Sequence, residues 1–458
     1  MLSVKGSSSE FFELVKAIGE SKSKQEEDTI VLAEVETLKK KFAQKECAPK
    51  VLRELLIRMV YVEMLGQDAS FGHIQAVKTT THPSLLVKRV AYMAVCLCLH
   101  SNHEFMLLVV NNLQKDLKST NHMEVALALQ AISKLVNRDL IPAVIAPVGD
   151  CLTHRQSIIR KKAVMVLQKF FAIDPEGSAI YIDKAQRLLM DKDPAVIGAA
   201  LHIVYDLCVL DPAKYRVLDP SLVSILKQIT EHRLPRDFDY HRIPAPWIQI
   251  KLLQILGVLG AMDRAASEGM YEILGEVLKR ADIGINVGFA IVYECVRTIT
   301  KIYPDHPLLG EAAKCVSRFI TSENHNLKYL GINALAAIVQ VDPKYAVEHQ
   351  LVVIDCLEDS DETLRRKTID LLYKMTTPQN VVIIVDKMVA SLKATIDIFF
   401  RKDLVQRITS LAERFAPDAY WYVDIMGVVF DTAGDLVQMS VSLLLLYCAD
   451  SFRSRTIS

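Results

Sequence analysis

Four stretches of this chain superimpose on one another, and their spacing constrains the fold more than any other feature. "SIIRKKAVMVLQKFFAIDP" (157–175), "PAVIGAALHIVYDLCVLDP" (194–212) and "HNLKYLGINALAAIVQVDP" (325–343) align without gaps, and "ETLRRKTIDLLYKMTTP" (362–378) joins them two residues short of its proline. Equivalent positions are apolar at Ile159, Val196, Leu327 and Leu364, and small four residues on at Ala163, Ala200, Gly331 and Thr368. Large apolar residues follow at the next turns, as at Val164, Leu167 and Phe170. Steps of four, one, three and three trace a single stripe of an amphipathic helix. The small residue admits a neighbouring helix, and the Asp-Pro that closes three of the stretches stops the helix, because the residue before proline is pushed out of the α region.

Ile159 and Val196 are 37 residues apart, as are Leu327 and Leu364, and "VKRVAYMAVCLCL" places a similar start at Val87. A period near 36–37 with paired helices predicts an all-α solenoid of the armadillo/HEAT kind, in which each repeat needs its neighbours to bury its apolar face. Strand signals are scarce, and runs such as "VVIIV" (381–385) also fit helical periodicity. The expected organisation is an N-terminal helical segment over 1–30, a solenoid over 31–440 and an atypical end over 441–458.

Hydrophobic residues make up 51% and charged residues 24% of the chain, enough apolar material for an extended core. Lys plus Arg balances Asp plus Glu at 54 each, so no overall field draws the protein onto nucleic acid. The nine cysteines are thinly spread and mostly lie inside apolar runs, a pattern of small core residues in a reducing compartment. The N-terminus lacks the apolar core of a secretory signal, and no stretch has the length of a membrane span. A cytoplasmic protein, able to sit on a membrane surface, is expected.

Chemistry-bearing motifs are missing: the sequence has no phosphate loop, dinucleotide turn, nucleophile elbow or H-E-x-x-H helix. "HSNHE" (100–104) offers His100, His103 and Glu104 but no second ligand pair, so it predicts a surface loop rather than a zinc site. Cys96 and Cys98 are two apart, on different sides of a helix, and predict core packing. The pairs Asp191/Asp193 and Asp359/Asp361 stand just before repeat helices, where aspartate caps the N-terminus. The expectation is therefore no enzyme, no catalytic residue, no metal and no cofactor. Pro246 suits a helix first turn, followed by a stripe through Ile250, Leu253 and Leu256, with Trp247 expected as a core anchor.

One segment is locally basic. "KKKFAQKECAPKVLRELLIR" (39–58) carries Lys39, Lys40, Lys41, Lys45, Lys50, Arg53 and Arg58 against Glu46 and Glu54. Such a patch attracts anionic lipid headgroups at about 1 kcal/mol per residue near the surface. Lys39, Lys40, Lys41, Lys50, Arg53 and Arg58 are the candidate headgroup contacts, and a solvated helix face is the competing reading.

"VYVEMLGQDASFGHIQAVK" (60–78) resembles the trunk of the large subunits of clathrin-type heterotetrameric adaptor complexes, and the likeness runs over roughly residues 15 to 440. "KRVAYMAV" (88–95), "VVNNLQKDLKST" (109–120), "RQSIIRKKAV" (155–164), "PAPWIQIKLLQILG" (244–257), "NLKYLGINAL" (326–335) and "ERFAPDAYWYVD" (413–424) follow in order. "VEMLGQDASFGHI", "STNHMEVALAL" and "RKKAV" are more similar to the epsilon type of the fourth adaptor complex than to the alpha or gamma types.

The resemblance implies a right-handed solenoid that wraps a small subunit, pairs with a beta-type large subunit and helps carry a medium subunit. It further implies recruitment to the trans-Golgi network by an Arf-family GTPase in its GTP form, and sorting of transmembrane cargo into vesicles. Position by position, the GTPase-docking residues of the gamma type fall on Ile74, Val77 and Leu108, all of which also fit a core stripe. The phosphoinositide run of the alpha type falls on "LRELLIR" (52–58), which keeps Arg53 and Arg58 but has Leu55 at the aromatic position. After "DTAGDLVQMSV" (431–441) the sequence departs from the trunk pattern, and no hinge or appendage follows, so a shortened or alternatively terminated product is expected. The alternative scaffold is a nuclear transport receptor of the armadillo class; such receptors line a groove with Trp and Asn ladders, whereas this chain has only Trp247 and Trp421.

Overall fold

The computed structural model describes residues 9–44 and 47–437; the expectations for 441–458 lie outside the described residues. Those residues are helical apart from turns and one two-stranded hairpin, so "VVIIV" belongs to a helix, Val381–Ala394. The hairpin pairs Asp239 with Pro244 and Tyr240 with Ile243, antiparallel. Its two tip residues, His241 and Arg242, take φ of 49° and 70°, the left-handed backbone that a two-residue hairpin turn requires. The chain divides into two units, residues 1–207 and 208–458.

The first unit begins with α1 (Ser9–Glu20), α2 (Lys24–Phe42), α3 (Pro49–Met64), α4 (His73–Thr79), α5 (Leu85–Cys98) and α6 (Met106–Leu117). It continues with α7 (His122–Leu135), α8 (Ile141–Cys151), α9 (Ser157–Ile173), the short α10 (Pro175–Ser178) and α11 (Ile182–Arg187), and the start of α12 (Pro194–Leu210). The boundary expected at residue 30 falls inside α2. Helices α3, α5, α7 and α9 pack each on the next; α4, α6 and α8 form a second row against them. Between the rows lie Val87, Ala91 and Val95 of α5, Leu129 and Ile132 of α7, and Ile159, Val166 and Phe170 of α9, all buried. The stripe positions of the repeat in α9, Ile159, Ala163, Val164, Leu167 and Phe170, are all buried, and Val166 and the α7 residues add to the same core.

The second unit repeats the arrangement. Pro246–Leu259, Asn286–Ile299, His325–Val341, Glu362–Met375 and Ile398–Phe415 form one row. Asp219–Thr230, Tyr271–Ala281, His306–Ile320 and Lys344–Asp355 form the other. Pro246 stands in the first turn of its helix and Leu253 and Leu256 are buried, as the sequence predicts. Trp247 does not anchor the core: it is 64% exposed and packs edge-on against Tyr240 of the hairpin at 5.1 Å. Its neighbours Ala245, Pro246, Ile248 and Gln249 are buried, so Trp247 falls on the one outward side of that first turn.

Local chemistry explains where repeats stop and start. Asp174, Asp211 and Asp342, each before a proline, take extended φ near −140° and end their helices. Asp174 and Asp211 then accept from Gly177 and Lys214 backbone N–H groups to open the next turn. The residue after the first stripe position is basic in several repeats and reaches an acidic partner. Lys88 donates to Asp116 and Glu124 at 2.8 and 2.9 Å. Arg160 donates to both oxygens of Asp191 at 2.6 and 2.7 Å, and Lys328 donates to Asp359 at 2.7 Å. In each aspartate pair the second member caps the helix: Asp193 accepts from Ala195 N–H and Asp361 from Leu364 N–H. Capping therefore describes half of each pair. The other half braces the preceding repeat.

The small positions bring helices close. Ala163, Ala200, Gly331 and Thr368 are all buried, and a Cβ on Gly331 would stand 2.9 Å from the Ile320 backbone nitrogen.

Candidate partner-binding and lipid-binding surfaces

The last turn of α2 carries Lys39, Lys40 and Lys41, where cations complement the exposed carbonyls of a helix C-terminus. Their side chains have different fates. Lys41 donates to Glu10 at 2.6 Å, and Lys39 donates to Glu36 at 2.8 Å with its ammonium 5.7 Å from the Phe71 ring centre. Lys40 and Lys50 are exposed, with no ion pair among the described residues, while Arg53 is half-buried and partnered. Lys45 and Glu46 lie outside the described residues.

Arg58 is the clear correction. It is 3% exposed, donating through Nε and Nη2 to Glu34 at 2.6 and 2.7 Å and through Nη1 to Glu10 at 2.7 Å. A guanidinium satisfied by two carboxylates inside the packing of α1, α2 and α3 offers nothing to a headgroup. Lys41 shares the same Glu10 oxygen and is likewise occupied. The patch thus contracts to Lys40 and Lys50, with Lys39, exposed though paired with Glu36, beside them and Arg53 at its edge.

The three apolar positions separate in the same way. Val77 is 2% exposed, inside the interface of α4 with α5, and presents no surface to a partner. Ile74 is half-buried and Leu108 is 52% exposed. Their helices are tied side by side: Asn112 of α6 donates to Thr80 Oγ1 at 2.8 Å and to the Val77 carbonyl at 3.4 Å. Ile74 and Leu108 each lie about one turn before these bonded residues.

Sequence reading missed Leu107, which is 77% exposed beside Leu108. A signal was available. The buried stripe of α6 is Met106, Val109, Val110, Leu113 and Leu117, so Leu107 and Leu108 are apolar residues off the stripe. Leu86, Met93 and Leu97 on α5, Met123 on α7, and Ile158 and Met165 on α9 are exposed for the same reason. On α5 these side chains share one face at steps of seven and four residues, while on α7 and α9 they alternate with Gln130, Lys134, Lys162 and Lys169.

Cys96 and Cys98 are not tuned for nucleophilic chemistry. Burial pushes Cys96 up to about 11 and Cys98 up to about 12, opposite to the depression a reactive thiolate needs. His100 and His103 sit in a turn with their rings 5.5 Å apart, and each Nδ1 accepts a backbone N–H, from Asn102 and Phe105.

Comparison with known proteins places this surface in a family. The model of the adaptin N terminal region matches residues 27–443. The chain is 47% identical over 437 residues to AP-4 complex subunit epsilon of Arabidopsis thaliana, covering 95% of this chain and 47% of that protein. It is 42% identical over 434 residues to AP-4 complex subunit epsilon-1 of Homo sapiens, covering 95% and 38%. AP-1 complex subunit gamma of Dictyostelium discoideum is more distant, at 28% over 433 residues, covering 94% and 48%. The chain therefore spans less than half the length of these relatives. A homology model of the full-length AP-3 complex in an intermediate open conformation shares the fold, with a TM-score of 0.59 and 21% identity over 89% of this chain and 73% of that one. The family match runs through every repeat from α2 onward: the chain belongs to the adaptin N-terminal-region family.

Proposed function

We propose that this chain is the trunk portion of an epsilon-type large subunit of a vesicle-coat adaptor complex. It acts by protein association along its helical flanks, without enzymatic chemistry, in vesicle-mediated protein transport. The observation that carries this reading is the family match over 27–443, together with 42–47% identity to epsilon subunits of the AP-4 complex. The exposed apolar side chains of α5, Leu86, Met93 and Leu97, support it, since removing apolar surface from water favours association.

The partners in this reading are a beta-type large subunit, a medium subunit and a small subunit. An Arf-family GTPase in its GTP form docks on Ile74, Leu107 and Leu108, with Val77 holding α4 in place beneath them. Lys39, Lys40 and Lys50 meet anionic headgroups and assist recruitment to trans-Golgi network membranes, at about 1 kcal/mol per residue. Transmembrane cargo is engaged through the assembled complex, and the protein is otherwise cytoplasmic. Among the described residues, no helix is long and apolar enough to cross a membrane.

Co-expression of the tagged chain with the three other subunit types tests the proposal. Recovery of a stoichiometric complex on size exclusion supports it; a monodisperse single chain with all three partners left unbound refutes it.

A further inference from the structure

Three helix ends meet at one point of the first unit. Glu63 lies in the last turn of α3, His73 is the first residue of α4, and Cys98 is the last residue of α5. One ligand-type atom from each, a carboxylate oxygen, an imidazole nitrogen and the thiol sulfur, all lie within 4.8 Å of one another. His73 Nε2 and Glu63 Oε2 are 3.3 Å apart. In a tetrahedral zinc site with metal–nitrogen and metal–oxygen bonds of about 2.0–2.2 Å, the ligand–ligand edge is about 3.3–3.5 Å. One edge of such a tetrahedron therefore already has its length, and the sulfur lies within 4.8 Å of both atoms.

We propose that Glu63, His73 and Cys98 form a three-ligand site for a zinc-class divalent cation, with water at the fourth position. The mixed sulfur, nitrogen and oxygen set selects zinc or cobalt over magnesium and calcium, which take oxygen ligands. A hydrogen bond between His73 and Glu63 accounts for two of the three groups. It does not call for a sulfur beside both.

The surroundings fit this assignment. His73 is buried and Glu63 and Cys98 are half-buried, so a bound ion is screened but reachable. The Glu63 oxygen that faces His73 also accepts from the Ala69 N–H at 3.2 Å, which orients the carboxylate. His103 packs edge-on against His73 at 5.8 Å. It is not counted as a ligand: its Nδ1 accepts from Phe105 N–H, so the neutral ring carries its proton on Nε2. Burial and the neighbouring Glu63 carboxylate keep the metal-free Cys98 a protonated thiol. Binding converts it to a thiolate and releases that proton to solvent, while His73 ligates through Nε2 with its proton on Nδ1. An ion here ties together the ends of α3, α4 and α5, the helices around Ile74.

The experiment is a titration of the full reduced chain with Co²⁺ and with Zn²⁺. Expected are one equivalent of saturable uptake, a thiolate-to-cobalt charge-transfer band, and displacement of cobalt by zinc. Cys98→Ser abolishes the band, and Glu63→Gln weakens zinc binding at least about tenfold, the scale on which even supporting groups act at metal sites. Cys96→Ser leaves both unchanged, and circular dichroism melts in the absence of metal verify that each variant is folded. No stoichiometric uptake, or a charge-transfer band that survives in Cys98→Ser or vanishes in Cys96→Ser, overturns the assignment.

Discussion

Arg58 of α3 grips Glu34 of α2 through two parallel N–H donors, Nε at 2.6 Å and Nη2 at 2.7 Å, and both side chains are buried. A bidentate pair of this kind costs desolvation on both sides, and removing one partner strands the other charge in the packing.

Arg58→Leu is therefore expected to destabilise the first unit by about 3–5 kcal/mol, because Glu34 is left uncompensated. Adding Glu34→Leu recovers most of that loss. Urea unfolding followed by circular dichroism measures both, and a single variant as stable as the parent would show that the pair is not buried as described.

Val77 and Leu108 are expected to respond in opposite ways. Val77→Ala removes buried methyl groups and costs about 1–3 kcal/mol in the same unfolding assay. Leu107→Ser with Leu108→Ser changes stability by less than about 0.5 kcal/mol per residue, as exposed substitutions do. The surface pair is expected to lower GTP-dependent recruitment of the assembled complex to vesicles severalfold. Equal recruitment of parent and variant removes these leucines from the docking face.

Asp219 supplies a pH dependence of known sign. Burial raises its carboxyl to about 6, the nearby Asp263 adds to the shift, and its Oδ1 has no hydrogen-bond partner. The folded state holds this proton more tightly than the unfolded state. Stability from this group is thus full below the unfolded value and declines as pH rises from about 4 to about 6, at up to 1.4 kcal/mol per pH unit. Asp219→Asn is expected to stabilise the second unit by about 2–3 kcal/mol at pH 7 and to match the parent near pH 4. Thermal melts across that range check the crossover, and a gap that stays constant with pH contradicts it.

At Gly331 helix propensity and packing oppose one another. Alanine is favoured by about 1 kcal/mol inside a helix. Its Cβ, however, would meet Ile320 Cγ1 at 2.7 Å and the Ile320 backbone nitrogen at 2.9 Å, and a helix backbone does not yield cheaply. Gly331→Ala is expected to be net destabilising by about 1–3 kcal/mol, as overpacked cores are. A raised melting temperature would mean that the two helices can separate without penalty.

Much of this fold was legible in the chain because the controlling interactions are short in range. The stripe beginning at Ile159 is buried, the Asp-Pro junctions end their helices, and the second aspartate of each pair caps as its position suggested. Arg160 was the exception within the repeat. Nothing within one turn of Arg160 announces its partner, Asp191, which stands 31 residues away.

By itself the sequence determined the helices, their length and their stacking period, since 3.6-residue periodicity, capping and proline stops act within one or two turns. Only the tertiary structure decided which side chains remained available at the surface. Lys40 and Arg58 belong to one basic run, yet one is exposed and the other is held by carboxylates 24 and 48 residues away. Val77 and Leu108 both looked like stripe residues until the helices beside them showed which was covered. Glu63, His73 and Cys98 have no spacing that announces a cluster, and they meet only because three helix ends converge. Exposure and convergence depend on what the neighbouring repeat places against a residue, and that contact is not encoded within the residue's own turn of helix.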